Sequence, residues 1–286
     1  MHQKLQQTKM VQWFRSEWRK AIRGLLLVTA HRWSDDILRQ PAIIFSPHFD
    51  DESLGCGGTI IRKIRSGARI NIVFMTDGSK SHSRFIPEKK LMKIRSKEAL
   101  AAAKKLGLQT KQVTYLGYEE TKLGNATHHA VERVKELLEE ERPDEIFLPY
   151  YFRQAPKDHS DTNRIAILAA RKLQLQVTIN EYPVWYWNQW PFVPFSGKGR
   201  SSILRHVAYT LLSNLGVLKD FRDCVYIKDI LPEKKQAIDE YKSQMTRLNG
   251  DTSWVTLSDV SNGEFIKCFF QDYEYFHRYH IKDARI

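Results

Sequence analysis

Hydrophobic and polar positions change rhythm along the chain. Trp13, Phe14, Trp18, Ile22, Leu25 and Leu26 recur every three to four positions with Arg15, Arg19, Lys20 and Arg23 between them. That spacing predicts a helix with one apolar and one cationic face. From Pro41 onward, short β-branched and aromatic runs alternate with helical stretches. Strands are expected over residues 42–46, 69–75, 112–116, 145–148, 175–179 and 224–227. Helices are expected over 54–66, closed by Gly67, over 88–106, closed by Gly107, and over 127–141, opened by Thr127 and stopped by Pro143. A further helical run follows Arg164, and another covers about 233–248. The alternation predicts an α/β fold: a Rossmann-like, mainly parallel sheet with helices on both faces.

Between these elements, Trp185, Trp187, Trp190 and Phe192 share a segment with the breakers Pro183, Pro191, Pro194 and Gly197, which reads as an aromatic loop. Its rings suit either the core or the apolar faces of sugars. The last forty residues are rich in Tyr and Phe and are expected to pack back on the body. With no repeat and no evident linker, the organisation expected is a basic helical segment over 1–38 and a single domain over 39–286 with an aromatic C-terminal elaboration.

Composition narrows the class. A chain of 286 residues, 42% hydrophobic and 27% charged, has the make-up of a folded globular protein. No apolar run approaches the ~20 residues of a membrane-spanning helix. Gly24 to Ala30 is preceded by basic residues but lacks the length and the small-residue cleavage site of a secretory signal. Cys56, Cys224 and Cys268 form no C-x-x-C pair, so a reducing cytoplasm is the expected setting.

The net charge of +12 draws anionic partners without choosing among nucleic acid, acidic lipid and phosphorylated substrates. Part of the excess lies at the start, where Lys4, Lys9, Arg15, Arg19, Lys20, Arg23 and Arg32 face only Glu17 before Asp35. The plain expectation is a helix packed on the body with its lysines and arginines in solvent. Peripheral membrane contact is the alternative. No nucleic-acid motif accompanies the charge, and no nucleic-acid partner is expected. Gly55, Gly57 and Gly58 lack the G-x-G-x-x-G order, and acids occupy the turn where a dinucleotide would need space for its pyrophosphate.

The densest chemistry follows the strand expected at 42–46: His48, Asp50, Asp51 and Glu52 stand in the loop before a glycine-rich helix start. Open α/β sheets bind ligands beyond the carboxyl ends of their strands. A histidine and an aspartate three apart can grip one divalent ion while the intervening aspartate takes a proton from water. This casts His48 and Asp51 as ligands and Asp50 as general base. Acids capping a helix N-terminus are the competing account, and Glu52 suits it. A second cluster, Asp158-His159-Ser160-Asp161-Thr162-Asn163, follows the strand expected at 145–148. By itself it does not show what it binds. Cys56 reads as a packing residue, and His128, His129, His277 and His280 as surface or structural groups.

Together the clusters resemble the LmbE-like, or PIG-L, family of zinc-dependent N-deacetylases. The family's His-Pro-Asp-Asp-Glu motif corresponds to His48-Phe49-Asp50-Asp51-Glu52, its Thr-Asp-Gly turn to Thr76-Asp77-Gly78, and its Arg-x-x-Glu helix ending in Leu-Gly to Arg95, Glu98 and Leu106-Gly107. Lys234, Ala237, Tyr241, Ser243 and Gln244 resemble a later Lys-x-x-Ala and Tyr-x-Ser-Gln segment. The resemblance spans roughly residues 41–250.

It implies a catalytic domain with zinc, or another divalent metal, on His48 and Asp51, Asp50 as base, and removal of an acetyl group from an N-acetylglucosamine-type sugar. The family's His-x-Asp-His motif supplies a third ligand from its final histidine, and here that position falls on Thr162, a poor ligand. The expected third ligand is then His159, which also matches the histidine that stabilises the oxyanion and protonates the amine; the two roles compete. Arg95 and Asp161 are the expected substrate contacts, Arg95 having a helix-surface pair with Glu98 as its alternative reading. The Thr162 departure also admits a catalytically impaired sugar-binding protein on the same fold. Substrate identity and oligomeric state are left open.

Overall fold

The computed structural model describes residues 9–151, 156–194, 216–248 and 250–284, with side chains from residue 12 onward. Lys4, Gly197 and residues 152–155 lie outside it. Helix α1 (Lys9–Thr29) leads into β1 (His31–Arg32) and α2 (Asp35–Arg39). The chain continues through β2 (Ala42–Ser46), α3 (Asp51–Arg65), β3 (Ile70–Thr76), α4 (Glu88–Lys105), β4 (Val113–Tyr118) and α5 (Thr127–Glu141). Then come β5 (Glu145–Pro149), α6 (Lys157–Lys172), β6 (Thr178–Tyr182), β7 (Asp223–Tyr226), α7 (Leu231–Asp239), α8 (Lys242–Met245) and β8 (Tyr273–His280). Among the described residues these strands form one sheet in the order β1-β7-β8-β6-β5-β2-β3-β4. Only β8 runs antiparallel to its neighbours β6 and β7; the other pairings are parallel.

Chain order reverses at β2. From it the chain builds outward to β3 and β4, then returns to place β5 on its other side. Such a reversal opens a crevice at the carboxyl ends of the two central strands, because the loops leaving them diverge to opposite faces. Alternate residues of the central strands feed two cores. Ile43, Phe45, Val73 and Met75 pack with α5 and α6, while Ile44, Ile72, Phe74 and Phe147 pack with α3, α4 and α7. Both faces are covered, which is why these strands read as continuous apolar runs.

Three expectations need correction. The helix expected over 233–248 is two helices, α7 and α8, separated at Tyr241 (φ −76°, ψ 57°), whose hydroxyl reaches Glu52 at 2.6 Å. The strand expected at 175–179 begins three residues later, after a left-handed turn at Gln174 (φ 52°). The faces of α1 are divided: Ile22 and Leu26 pack into the core and Lys20 is exposed as expected, but Arg15 and Arg19 both pair with Glu264, at 3.4 and 3.0 Å, while Trp13, Phe14, Leu25 and Val28 face out.

Helix α3 is broken at Cys56 (φ −144°, ψ 20°), which frees backbone groups in the core. Buried Glu274 of β8 accepts from the amides of Gly58 and Thr59 at 2.8 and 2.7 Å, and Lys234 of α7 donates to Leu54 O and to Glu274. One ion pair thus satisfies both sides of the break, as buried polar groups require. The nearby glycines serve packing: a Cβ at Gly55 would overlap the Tyr182 ring, and one at Gly58 would lie 2.6 Å from Ile227.

Candidate functional site

The loop from β2 into α3 and the N-terminus of α6, reached from β5, meet at the crevice. His48 follows the end of β2 by two residues. Asp50 sits at φ 121°, a region non-glycine residues avoid at a cost of order 1–3 kcal/mol. Glu52 holds the turn: its buried carboxylate accepts from Ser46 Oγ, Ser53 Oγ, Tyr241 Oη and the Asp50 amide. Burial raises its pKa despite those donors. Glu52 is therefore a brace for the loop; the N-cap residue Asp50 makes no side-chain cap on α3, and Ser46 Oγ accepts from the Glu52 amide instead.

His48, Asp51 and His159 each offer a ligand atom, and those atoms lie within 4.8 Å of one another, all three residues being buried. Asp51 Oδ2 is 3.2 Å from His48 Nδ1 and 3.1 Å from His159 Nε2. Nδ1 of His159 has no hydrogen-bond partner, and the Asp51 carboxylate is the polar group against its Nε2. An under-satisfied buried imidazole beside a carboxylate costs about 1–3 kcal/mol per unmade bond, and a cation between the two would use both donor atoms. Two imidazoles and one carboxylate form a donor set that suits a catalytic divalent metal.

Asp158, adjacent to His159, has a role that the sequence pattern does not reveal. Its Oδ2 lies 3.1 Å from His48 Nε2 and accepts from the Thr121 amide at 2.7 Å. His48 is thus held between two carboxylates. Burial opposes its charge, yet the hydrogen bonds with Asp158 and Asp51 prevail and raise its pKa to about 10. Asp51 is held low: burial works against its charge, but His159 and then His48 outweigh it. Asp50 is pushed well above the usual carboxylate range, first by burial and then by the neighbouring Asp51 charge. Its Oδ2 accepts a hydrogen bond from Gln244 Nε2 of α8.

These groups line a cavity of about 320 Å³ walled by His82, Arg95, Trp185 and Phe265 as well as His48, Asp50, Asp51 and Gln244. His159 sits fully buried behind them. Arg95 is not on the helix surface with Glu98, which instead receives Ser243. Its guanidinium donates to Gly78 O, Ser81 Oγ and His82 Nδ1 at 3.0, 2.7 and 3.0 Å. That bond makes Nδ1 an acceptor, so the His82 proton sits on Nε2 and reaches Val255 O at 2.9 Å. Burial, with Arg95 beside it, lowers the His82 pKa. Arg95 thereby positions the Thr76-Asp77-Gly78 loop, where Gly78 has φ 64° and a Cβ would lie 2.7 Å from Phe49.

Asp161 does not line the cavity; it lies against Gly124 and 3.6 Å from Arg164. Thr162, one turn beyond His159 on α6, is buried with an unpaired hydroxyl. The imidazole that reaches the Asp51 carboxylate is His159. Of the aromatic run, Trp185 faces the cavity, Trp187 is in the core, and Trp190 stacks on Trp18. Gln244 and Tyr241 complete the site from a distant segment, and the Tyr-x-Ser-Gln pattern is their only trace in the sequence.

Residues 43–170, from β2 through α6, match the family model described as PIG-L: GlcNAc-PI de-N-acetylase. The matched stretch carries His48, Asp50, Asp51 and His159. No curated protein sequence matches the chain. Among solved structures, it is similar to the N,N'-diacetylchitobiose deacetylase of Pyrococcus horikoshii bound to an inhibitor, with 20% identity, a TM-score of 0.61, and coverage of 96% of this chain and 95% of that one. The zinc-inhibited form of the teicoplanin deacetylase Orf2 is similar at 16% identity and a TM-score of 0.56, over 85% of this chain and 100% of that one. So is the 4-carboxy-2-hydroxymuconate hydratase GalB of Pseudomonas putida KT2440, at 15% identity and a TM-score of 0.54, over 86% and 98%. At these identities the likeness is one of fold. A hydratase shares it with deacetylases, so chemistry must be argued from the site.

Proposed function

We propose that this protein, which matches the PIG-L family model over residues 43–170, is a metal-dependent hydrolase that removes the acetyl group from an N-acetylglucosamine-type sugar in a glycoconjugate or its precursor. The observation that carries the reading is the buried His48, Asp51 and His159 group with Asp50 beside it at the floor of a sugar-sized cavity. A divalent cation held by those three residues, zinc being the first candidate, would supply Lewis-acid polarisation of the amide carbonyl and lower the pKa of a water at the site.

Asp50 does the proton work. Beside a bound divalent charge its carboxyl ionises more readily, reversing part of the effect of burial. It then takes the proton of the attacking water and holds it, because its surroundings favour the protonated form. As the C–N bond breaks, that proton passes to the departing amine, leaving acetate and a free amino sugar. Gln244 fixes the Asp50 carboxylate through this exchange. With His159 assigned to the metal, it is not asked to protonate the amine as well. Asp158 orients His48 from behind, a carboxylate–histidine arrangement that typically changes metal affinity 10–100-fold when broken.

Deacetylase neighbours and the family-model match support a sugar amide as substrate, and Trp185 at the cavity wall offers an aromatic face for a pyranose ring. Acetate release from a panel of N-acetylglucosaminyl substrates, before and after chelation, tests the reading. Metal-dependent release supports it. Stoichiometric metal with no turnover across the panel makes the chain a binding protein on this fold.

A further inference from the structure

We infer that α1 docks this protein on an anionic lipid surface, its outward aromatic face seated in the headgroup region. This does not rest on the hydrolase reading. The helix carries Trp13, Phe14, Trp18, Leu25, Leu27 and Val28 on its solvent side; Trp13 is 64% and Val28 83% exposed. A surface helix normally turns such residues inward and its cations outward. Here only Ile22 and Leu26 are buried in the core, while Arg15 and Arg19 turn to Glu264, Arg23 lines a cavity beneath the helix, and the aromatic residues stay outside. Lys20 is the exposed cation of this helix from residue 12 onward, and the one acid, Glu17, is paired to it at 2.8 Å.

Trp190 extends the patch from another part of the chain. Its ring stacks on Phe14 and Trp18, with centroids 6.2 and 6.3 Å apart. Indole rings favour the boundary between headgroups and acyl chains, and an aromatic-faced helix of 21 residues, about 31 Å long, lies flat in that layer. No helix among the described residues is long and apolar enough to cross a membrane, so the contact is peripheral.

Charge selects the occupant. The chain carries a net charge of +12, and residues 1–34 alone hold seven Lys or Arg against one acid. Two copies meeting through this face would bring those like charges together. Nucleic acid would call for outward cations where the helix offers rings. An anionic bilayer takes both the rings and the positive field.

The test is co-sedimentation of the full chain with vesicles of phosphatidylcholine alone or with one-third phosphatidylglycerol, at low and at 0.5 M salt. The anionic vesicles should retain most of the protein at low salt and lose much of it at high salt. The double variant Trp13→Ser, Val28→Asp should bind at least tenfold more weakly, with an unchanged thermal midpoint to show that it folds. Brominated phosphatidylcholine mixed with phosphatidylglycerol should quench wild-type tryptophan emission, a readout independent of any variant. Protein left in the supernatant with both vesicle types, equal binding by the folded variant, or unquenched emission overturns the inference. So does a wild-type dimer that ignores vesicles and is broken by Val28→Asp, which would make the face a contact between copies.

Discussion

The Gln244 side chain reaches across 194 positions of sequence to donate its Nε2 hydrogen to Oδ2 of Asp50. The bond ties α8 to the turn after β2 and presents the Asp50 carboxylate in one orientation. Loss of one such bond to a buried acid is worth about 1–3 kcal/mol. Gln244→Ala should lower kcat for acetate release by about 10–100-fold while bound metal stays at the wild-type level. Steady-state kinetics paired with metal analysis checks both halves.

Asp50→Asn keeps the shape of the side chain and removes the proton acceptor. Its kcat should fall by about 10²–10⁴-fold with metal retained, since a positioned general base typically contributes that much. A variant that loses metal together with activity would place Asp50 among the ligands instead.

Asp158→Asn should weaken metal affinity by about 10–100-fold, read by competition with a chromogenic chelator, with little change in secondary structure. Thr162→Val replaces an unpaired buried hydroxyl with a methyl group of similar size. It should leave metal affinity within about twofold, the same competition assay being the check, because a partnerless hydroxyl has no bond to lose.

The central strands and the His48 to Glu52 motif were legible because a parallel strand buried on both faces leaves an unbroken apolar run, and the loop after it concentrates acids. Other parts were not. The family's spacing drew attention to Thr162, while α6 brings the neighbouring Asp158–His159 pair to the crevice; only the helix start, fixed at Lys157, shows which turn faces it. Glu274 and Tyr241 act through contacts 215 and 189 positions away, which no local pattern reports. Strand β8 hid because its Glu274 is buried at the break in α3, and a charged residue there blurs the alternation. The inward arginines of α1 depend on Glu264, whose position relative to that helix exists only in the folded chain.

Metal-free protein should lose stability as pH rises from 7 toward 10. His48 ordinarily titrates near ~6.5, and in the folded chain near about 10. A raised folded pKa stabilises fully below the unfolded value, and that contribution disappears as pH climbs through the folded one. Thermal midpoints of chelated wild type should therefore drop across this range, and His48→Asn should flatten the dependence. A chelated wild-type midpoint that is level or rising between pH 7 and 10 would contradict the assignment.

The break in α3 supplies a stability prediction. Glu274→Gln leaves Lys234 buried without its counter-charge and should cost about 3–5 kcal/mol in equilibrium unfolding. The partner change Lys234→Met exposes the same dependence from the cationic side. A loss below about 1 kcal/mol for both would mean that the pair does not support the kink.

Zinc occupancy of wild type and His159→Ala, compared by equilibrium dialysis against a weak competing chelator, tests the metal centre most directly. The wild type should hold about one ion per chain and the folded variant close to none. Equal occupancy in the two proteins would remove His159 from the site, and with it the account of how this crevice works.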